Sequence, residues 1–297
     1  MRNEPESQLL MERPDARSMA RQIGDTGIKT ILFHIHDDDS VMDRLQLVLT
    51  LARAWGAHIH CLHVTPIQAF TVIDGFGAAY ICQEIVDAFE EQAAKLRQRI
   101  EKQLRTEDIS WDYEEATDAV VPRLIQCAAF SDLVITGREP KQREFGGPAV
   151  TLIGDLLAQI RTPLLVAGDR LVEWDTCGPA VIAWNGSYEA ANAVRTAIPL
   201  LKMAGETRVV EFSEEKKAQF PSTILLEYLS RHGIHAQLET LETSDPIDEA
   251  LVSFAQSVDA GIVVMGAYGH SRAGEFLFGG VTHALIKNCP IALVMGH

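Results

Sequence analysis

The sequence predicts an α/β protein made of two tandem domains, each a five-stranded parallel sheet with helices on both faces. Short apolar runs alternate with amphipathic helices, which is the order that βαβ units require. The same ordered set of landmarks occurs twice within the 297 residues. Because 47% of the residues are hydrophobic, the chain can bury substantial cores, and extensive disorder is excluded.

The repeat begins with two segments that each join a strand to a polar turn and a helix. They read ILFHIHDDDSVMDRLQLVLTLARAWGAHIHCLHV and AVIAWNGSYEAANAVRTAIPLLKMAGETRVVEF, which places His36 on Asn185 and Gly56 on Gly205. Further along, SDLVITG matches AGIVVMG, and RTPLLVAG matches NCPIALVMG. Four landmarks in one order indicate a tandem duplication.

The elements of the second half follow from composition and periodicity. Runs rich in β-forming residues and bounded by turn residues predict strands near 180–184, 207–212, 234–240, 261–266 and 291–295. A helical spacing of apolar residues between the third and fourth strands predicts an amphipathic helix, with Asp245 as its N-cap and Pro246 in its first turn. That face comprises Ile247, Ala250, Leu251, Phe254 and Ala255, and the first half repeats it with Val121, Leu124, Ile125, Ala128 and Ala129.

These elements divide the chain into four parts. We expect an N-terminal extension at 1–27, a first domain at 28–168, a linker at 169–178 and a second domain at 179–297. The first half carries a longer insertion between its second strand and second helix, TPIQAFTVIDGFGAAYICQE. Its apolar side chains favour a flap packed on its own domain over a lid that contacts a ligand or partner; they are Phe70, Ile73, Phe76 and Tyr80.

Charge and cysteine content narrow the classes of function. The formal net charge is −15, which argues against nucleic acid and against anionic membrane surfaces as partners. The five cysteines are scattered and form no C-x-x-C pair, so a disulfide framework is not expected. No secretory signal and no apolar run of membrane-spanning length is evident. We therefore expect a cytoplasmic protein.

The candidate site follows the fourth strand of the second half. In open parallel sheets, ligands bind beyond the carboxyl ends of the strands, where the strand order reverses. Gly266 and Gly269 allow a tight turn and close approach of the backbone, and Gly279 and Gly280 precede a helix beginning at Val281. Helix amides and the helix dipole favour an anion there, without a Walker lysine. Arg272 is the best candidate for neutralising phosphate charge.

The G-x-x-G loop, the nine-residue spacer, the next glycine, the helix and the C-P-hydrophobic strand resemble the universal stress protein family over about residues 28–296. The resemblance implies a tandem member. It also implies ATP or another adenine nucleotide in the second domain, because nucleotide-binding members hold ATP between the first strand and this loop. The residues placed around it are Ala183, Trp184, Asn185, Gly266, Gly269, Gly279, Gly280, Val281 and Thr282.

Two positions depart from the pattern of that family. Asn185 stands where the family has an aspartate that could help to hold a metal ion such as Mg²⁺. Gly280 stands where the family has a Ser or Thr hydroxyl, and the nearest hydroxyl belongs to Thr282. The lost hydrogen bond costs about 1 kcal/mol, which weakens binding without abolishing it.

The first half departs further, and no nucleotide or other cofactor is expected there. No glycine corresponds to Gly269, and Thr151 and Leu152 are placed opposite Gly279 and Gly280. A leucine at that position would crowd a phosphate.

A metal site is considered at four histidines of the first half. His34 and His36 alternate along the first strand, and His58 and His60 alternate along the second, with Asp37, Asp38 and Asp39 nearby. Histidine and carboxylate suit zinc or copper. The alternative is a polar strand face and a capped helix. No spacing matches a known ligand motif, so no metal is expected.

The leading function is a stress-response protein that binds an adenine nucleotide as a sensor or switch, with no catalytic residues assigned. The alternatives are a nucleotide-independent scaffold for an unknown protein partner and a slow ATPase. The resemblance also implies that the final strands of the two halves, Leu164–Ala167 and Ile291–Met295, pair edge to edge within the chain. A homodimer is allowed but not required.

Overall fold

The computed structural model describes residues 27–66, 70–73, 79–138, 152–168, 176–213, 219–267 and 280–297. Residues 1–26 of the proposed N-terminal extension and most of the linker therefore lie outside the described residues, as do Gly269, Arg272, Gly279 and Phe76 of the sequence predictions. Within the described ranges, none of the helices is both long and apolar enough to cross a bilayer.

The first half contains the elements that its periodicity predicts and a small hairpin. In chain order these are β1 (Thr30–Ile35), α1 (Val41–Trp55), β2 (His58–Pro66), β3 (Thr71–Ile73), β4 (Ala79–Ile81), α2 (Gln83–Leu104), β5 (Trp111–Asp118), α3 (Val120–Ala128), β6 (Leu133–Thr136), α4 (Leu152–Gln159) and β7 (Leu164–Val166). The hairpin β3–β4 belongs to the long insertion. Phe70, just before it, is buried and packs edge-on against Phe89 of α2, with ring centroids 5.6 Å apart.

The second half repeats the pattern without the hairpin. Its elements are β8 (Pro179–Ala183), α5 (Tyr188–Leu201), β9 (Glu206–Phe212), α6 (Ser222–Arg231), β10 (Ala236–Leu241), α7 (Ile247–Ser257), β11 (Ile262–Gly266), α8 (Gly280–Asn288) and β12 (Ala292–Gly296). All five predicted strands are present. Pro246, rather than Asp245, is the N-cap of α7 and makes no side-chain cap, so that prediction was wrong by one residue.

The described strands form one ten-stranded sheet and the small hairpin. The order of the large sheet is β10-β9-β8-β11-β12-β7-β6-β1-β2-β5. Each half thus has the strand order 3-2-1-4-5, with parallel neighbours. The halves join where β12 runs antiparallel to β7, through the pairs Leu293–Val166 and Met295–Leu164. This contact covers the edge that each half would otherwise expose.

The strand register tests the internal alignment. Phe33 pairs with Ile135, and Ile182 pairs with Val264. The spacing from Phe33 to Ile182 equals the spacing from His36 to Asn185, so the alignment of the first strands is correct.

The register also corrects the alignment of the final strands. Leu165 pairs with Ile135, whereas Val294 pairs with Val264, so the landmark prolines Pro163 and Pro290 are offset by two residues. Leu152 therefore corresponds to Val281, and not to Gly280, opposite which the sequence alignment places it.

Helices cover both faces of the sheet, as predicted. On one face, α1, α2, α5 and α6 bury their apolar sides against strands of both halves. On the other face, α3, α4, α7 and α8 do the same. The predicted apolar face of α7 lies inward at Leu251 and Ala255, and that of α3 lies inward at Leu124 and Ala128. Ala129 lies beyond the end of α3 and is exposed.

Candidate functional site

The strand order reverses between β8 and β11 in the second half, and between β1 and β6 in the first. In open parallel sheets, a crevice lies outside the carboxyl ends of the strands at each such switch point. We call the one at Ala183 and Gly266 the second-domain crevice and the one at His34 and Gly137 the first-domain crevice. Parallel α/β sheets bind ligands at such switch points.

The end of β8 places its side chains alternately on the two faces of the sheet. Ala183 is partly exposed and packs on the face of α7 and α8, where Val281 packs as well. Trp184 lies in the core on the α5 face and is only 5% exposed, so little of its ring is free to stack on a base. Its indole Nε1 is buried and has no hydrogen-bond partner among the residues that the structure describes.

Asn185 shapes the turn that leads into α5. Its Oδ1 accepts a hydrogen bond of 3.1 Å from the amide of Ser187, and Gly186 between them has a positive φ of 69°. The hydroxyl of Ser187 then caps α5 by accepting from the amide of Ala190 at 3.1 Å. Asn185 therefore closes a turn, a task that an aspartate at this position could also perform.

Gly266 has a packing role. A Cβ at this position would lie 2.4 Å from the amide nitrogen of Ala190 in the first turn of α5. Gly280, the first residue of α8, is exposed, and a Cβ there would meet no atom of the described residues within 4 Å. Of the two glycines, Gly266 is thus required by the contact between helix and strand, whereas Gly280 leaves open space at the helix N-terminus.

This contrast predicts different effects of the same substitution. Gly266→Ala should lower the free energy of unfolding by about 2 kcal/mol, because it overpacks a rigid backbone contact. Gly280→Ala should change it by less than about 0.5 kcal/mol, since the added methyl group touches none of the described residues. Urea denaturation of the two variants checks this. Equal free energies of unfolding for the two variants would mean that α5 can move away from β11 to accommodate the added methyl group.

The first-domain crevice is occupied by the chain's own side chains. Arg44 of α1 is 3% exposed and binds both carboxylate oxygens of Asp38 at 2.9 Å. Its guanidinium also lies 3.4 Å from the carbonyl oxygen of His36. A Cβ at Gly137 would come within 2.8 Å of its Cζ atom. Arginine therefore takes the space beside the end of β6.

Sequence reasoning missed Arg44, although a signal was present. Arg44 lies on the apolar stripe of α1, between Val41 and Val48, so the periodicity predicts that its side chain points towards the core. A buried charge requires a partner, which predicts a nearby carboxylate.

Two histidines line the other side of this crevice. The Nδ1 atom of His34 lies 3.0 Å from the hydroxyl of Thr136, and both residues are buried. The rings of His34 and His36 stack edge-on, with centroids 4.0 Å apart. Burial, with repulsion from the other histidine and from Arg44, holds the pKa of His34 well below its usual value. Burial, and then Arg44, lower the pKa of His36 to about 4. Both rings are therefore neutral at physiological pH.

The four histidines considered for metal do not share a site. His58 and His60 lie on the outer part of β2, each within hydrogen-bond distance of Asp112, at 2.8 Å and 2.9 Å. His34 is aligned with Leu62, further along the sheet. The four histidines that strand alternation suggests as one group therefore form two separate clusters, one with His34 and His36 and the other with His58 and His60.

The fold and the two crevices define a class of protein: a tandem pair of doubly wound α/β domains joined through their last strands, with one switch point filled by its own side chains. Residues 179–295 match the model of the Universal stress protein family. The second half therefore matches a universal stress protein domain, and the first half repeats its strand order.

Solved structures of similar fold extend over both halves. A universal stress protein from Archaeoglobus fulgidus DSM 4304 has a TM-score of 0.69 at 16% identity, covering 90% of this chain and 96% of that chain. A candidate universal stress protein from Pseudomonas aeruginosa UCBPP-PA14 has a TM-score of 0.54 at 18% identity, covering 90% and 92%. At these identities the likeness concerns the fold. Among curated proteins, no sequence matches significantly.

Proposed function

We propose that the second domain binds an adenine nucleotide in the second-domain crevice and that the chain acts as a stress-responsive sensor or switch. The observation that carries this proposal is the placement of Ala183 and Val281 against one core. It brings the end of β8 and the first turn of α8 to the same face of the sheet. None of the residues that the structure describes comes within 4 Å of a Cβ at Gly280, and these residues leave the amides of that helix turn accessible to an anion.

The contrast between the two crevices supports assigning the ligand to the second domain alone. By the strand register, Ala183 stands where the first domain has His34. The same spacing along the sequence places Ala193 of α5 opposite Arg44 of α1. Two small side chains thus replace an imidazole and a guanidinium that are buried in the first domain. We infer that a nucleotide finds room only in the second domain.

The chemistry of the site favours binding without turnover. Asn185 supplies no carboxylate to hold Mg²⁺ or to act as a base, so any Mg²⁺ would rely mainly on the phosphates. Binding to the folded state alone stabilises it by mass action, which suffices for a switch. We place this switch in the cytoplasm, since Cys61, Cys82 and Cys127 are free thiols.

The direct test is to denature the purified full-length protein and search the supernatant for nucleotide by mass spectrometry. We expect an adenine nucleotide, or a rise in the melting temperature on adding ATP and Mg²⁺. Neither a nucleotide nor a thermal shift would favour the nucleotide-independent scaffold. Phosphate release that disappears in Gly269→Val would favour the slow ATPase.

Gly280→Ser should strengthen ATP binding about fivefold, because it restores a hydroxyl worth about 1 kcal/mol as a hydrogen-bond donor. The side chain fits among the described residues, since none of their atoms lies within 4 Å of the added Cβ. Isothermal titration calorimetry measures the change, and Gly280→Ala is the matched control. Equal affinities of the serine and alanine variants would contradict a phosphate beside this residue.

A further inference from the structure

Three side chains of different chemistry converge between β2, β5 and α3 of the first domain. His60, Glu114 and Cys127 each offer one ligand atom, and these atoms all lie within 4.8 Å of one another. They come from positions far apart in the sequence, and the cluster is remote from both crevices because it lies nearer the amino ends of the strands. Each residue is partly buried.

The imidazole of His60 is already oriented. Its Nδ1 atom lies 2.9 Å and 3.0 Å from the two carboxylate oxygens of Asp112. Asp112 is held in turn by Nε2 of His58 at 2.8 Å, and the other nitrogen of His58 contacts the hydroxyl of Ser110 at 2.8 Å. A carboxylate on one imidazole nitrogen is the arrangement that presents the other nitrogen to a metal ion.

The carboxylate of Glu114 divides its two oxygens between different neighbours. Oε1 forms an ion pair with Arg123. Oε2 lies 3.4 Å from Nε2 of His60, which is longer than a normal hydrogen bond between such atoms. One oxygen can therefore serve as a ligand while Arg123 holds the other.

We propose that His60 Nε2, Glu114 Oε2 and Cys127 Sγ form a binding site for Zn²⁺. Thiolate and imidazole select zinc over Mg²⁺ and Ca²⁺, which prefer oxygen ligands alone. Three protein ligands leave the fourth tetrahedral position to water. Asp112 and Arg123 position His60 and Glu114 without contacting the ion. The proposal revises the sequence-based expectation that no metal binds. Of the four histidines considered there, only His60 is a ligand in the proposed site.

The test uses the full-length chain, purified without a histidine tag and stripped with a chelator. After equilibrium dialysis against Zn²⁺, we expect one equivalent of bound metal. Cys127→Ser should weaken binding at least tenfold, and Asp112→Asn should weaken it about tenfold or more by releasing His60. Cys82→Ser is the matched control and should bind as the wild type does. Equal binding by the Cys127 and Cys82 variants would overturn the proposal.

Co²⁺ provides a readout that needs no variant. In place of Zn²⁺, it should produce a thiolate-to-cobalt charge-transfer band in the near ultraviolet, and Zn²⁺ should displace it. Absence of that band in the wild-type protein would overturn the site even if the Cys127→Ser chain failed to fold.

Discussion

Asp38→Asn should lower the free energy of unfolding by about 3 kcal/mol, because it leaves a buried guanidinium without its counterion. The side chain of Arg44 is 3% exposed, whereas that of Asp38 is 33% exposed. Asparagine can still accept the hydrogen bond that the amide of Ser40 donates to Asp38 at 2.9 Å. The substitution therefore removes the charge and leaves the start of α1 otherwise unchanged. Urea denaturation monitored by circular dichroism gives the value.

Arg44→Met is the matched control for this pair. It removes the buried charge at similar volume and leaves behind a carboxylate that water already reaches, so it should cost less than Asp38→Asn. The double variant should be no less stable than Asp38→Asn alone, because the second change removes the unpaired charge. If Arg44→Met lowered the free energy of unfolding more than Asp38→Asn does, the ion pair would contribute net stability. It would then do more than neutralise the cost of burying the guanidinium.

The protein should lose stability as the pH falls from about 6.5 towards 4. As the pH falls, a histidine whose pKa is lowered by folding becomes protonated in the unfolded chain before it does so in the folded protein. Its contribution to the free energy of unfolding is therefore present above the unfolded-state pKa and is lost as the pH falls below it. For His36, whose pKa falls from 6.5 to about 4, the loss between pH ~7.5 and pH ~4.5 is about 2.5 kcal/mol. His34, whose pKa is also lowered, adds to it.

The charged groups around these rings define the controls. His36 faces Arg44 and His63, which oppose its protonation, and Asp38, which favours it. His36→Asn should flatten the pH profile of the urea midpoint between pH ~7.5 and pH ~5, above the range where most carboxylates titrate. His235→Gln alters an exposed histidine and should leave the slope unchanged. An identical slope in the wild type and His36→Asn would show that this ring is not the source.

The sequence was most informative where the signal is local. Alternation of apolar runs and helical stripes located all five strands of the second half, because each pattern depends only on neighbouring residues. The alignment of His36 with Asn185 agrees with the strand register. The alignment through Pro163 and Pro290 failed by two residues, because Leu164 follows its proline directly, whereas Leu293, which occupies the same register position in the second half, comes three residues after its own. A proline marks a turn and not the first paired residue of a strand.

The roles of individual side chains were less accessible. The sequence predicts that Gly266 lets the backbone approach a ligand. In the structure, its lack of a side chain lets β11 pack closely against Ala190 of α5. Trp184 was placed near an adenine, and it lies in the core. Residue type narrows the chemistry of a side chain, but the face on which it lies depends on the packing of other elements.

The sequence by itself determined that the chain consists of two copies of one α/β unit, and that the second copy carries a glycine-rich segment resembling that of the universal stress protein family. Only the tertiary structure decided that the halves share one sheet through β7 and β12, that Arg44 and two histidines fill the first-domain crevice, and that His60 meets Glu114 and Cys127. The physical reason is the range of the interactions. Turn chemistry and hydrophobic periodicity act between near neighbours, whereas buried charge pairs and ligand clusters join residues that only the folded chain brings together.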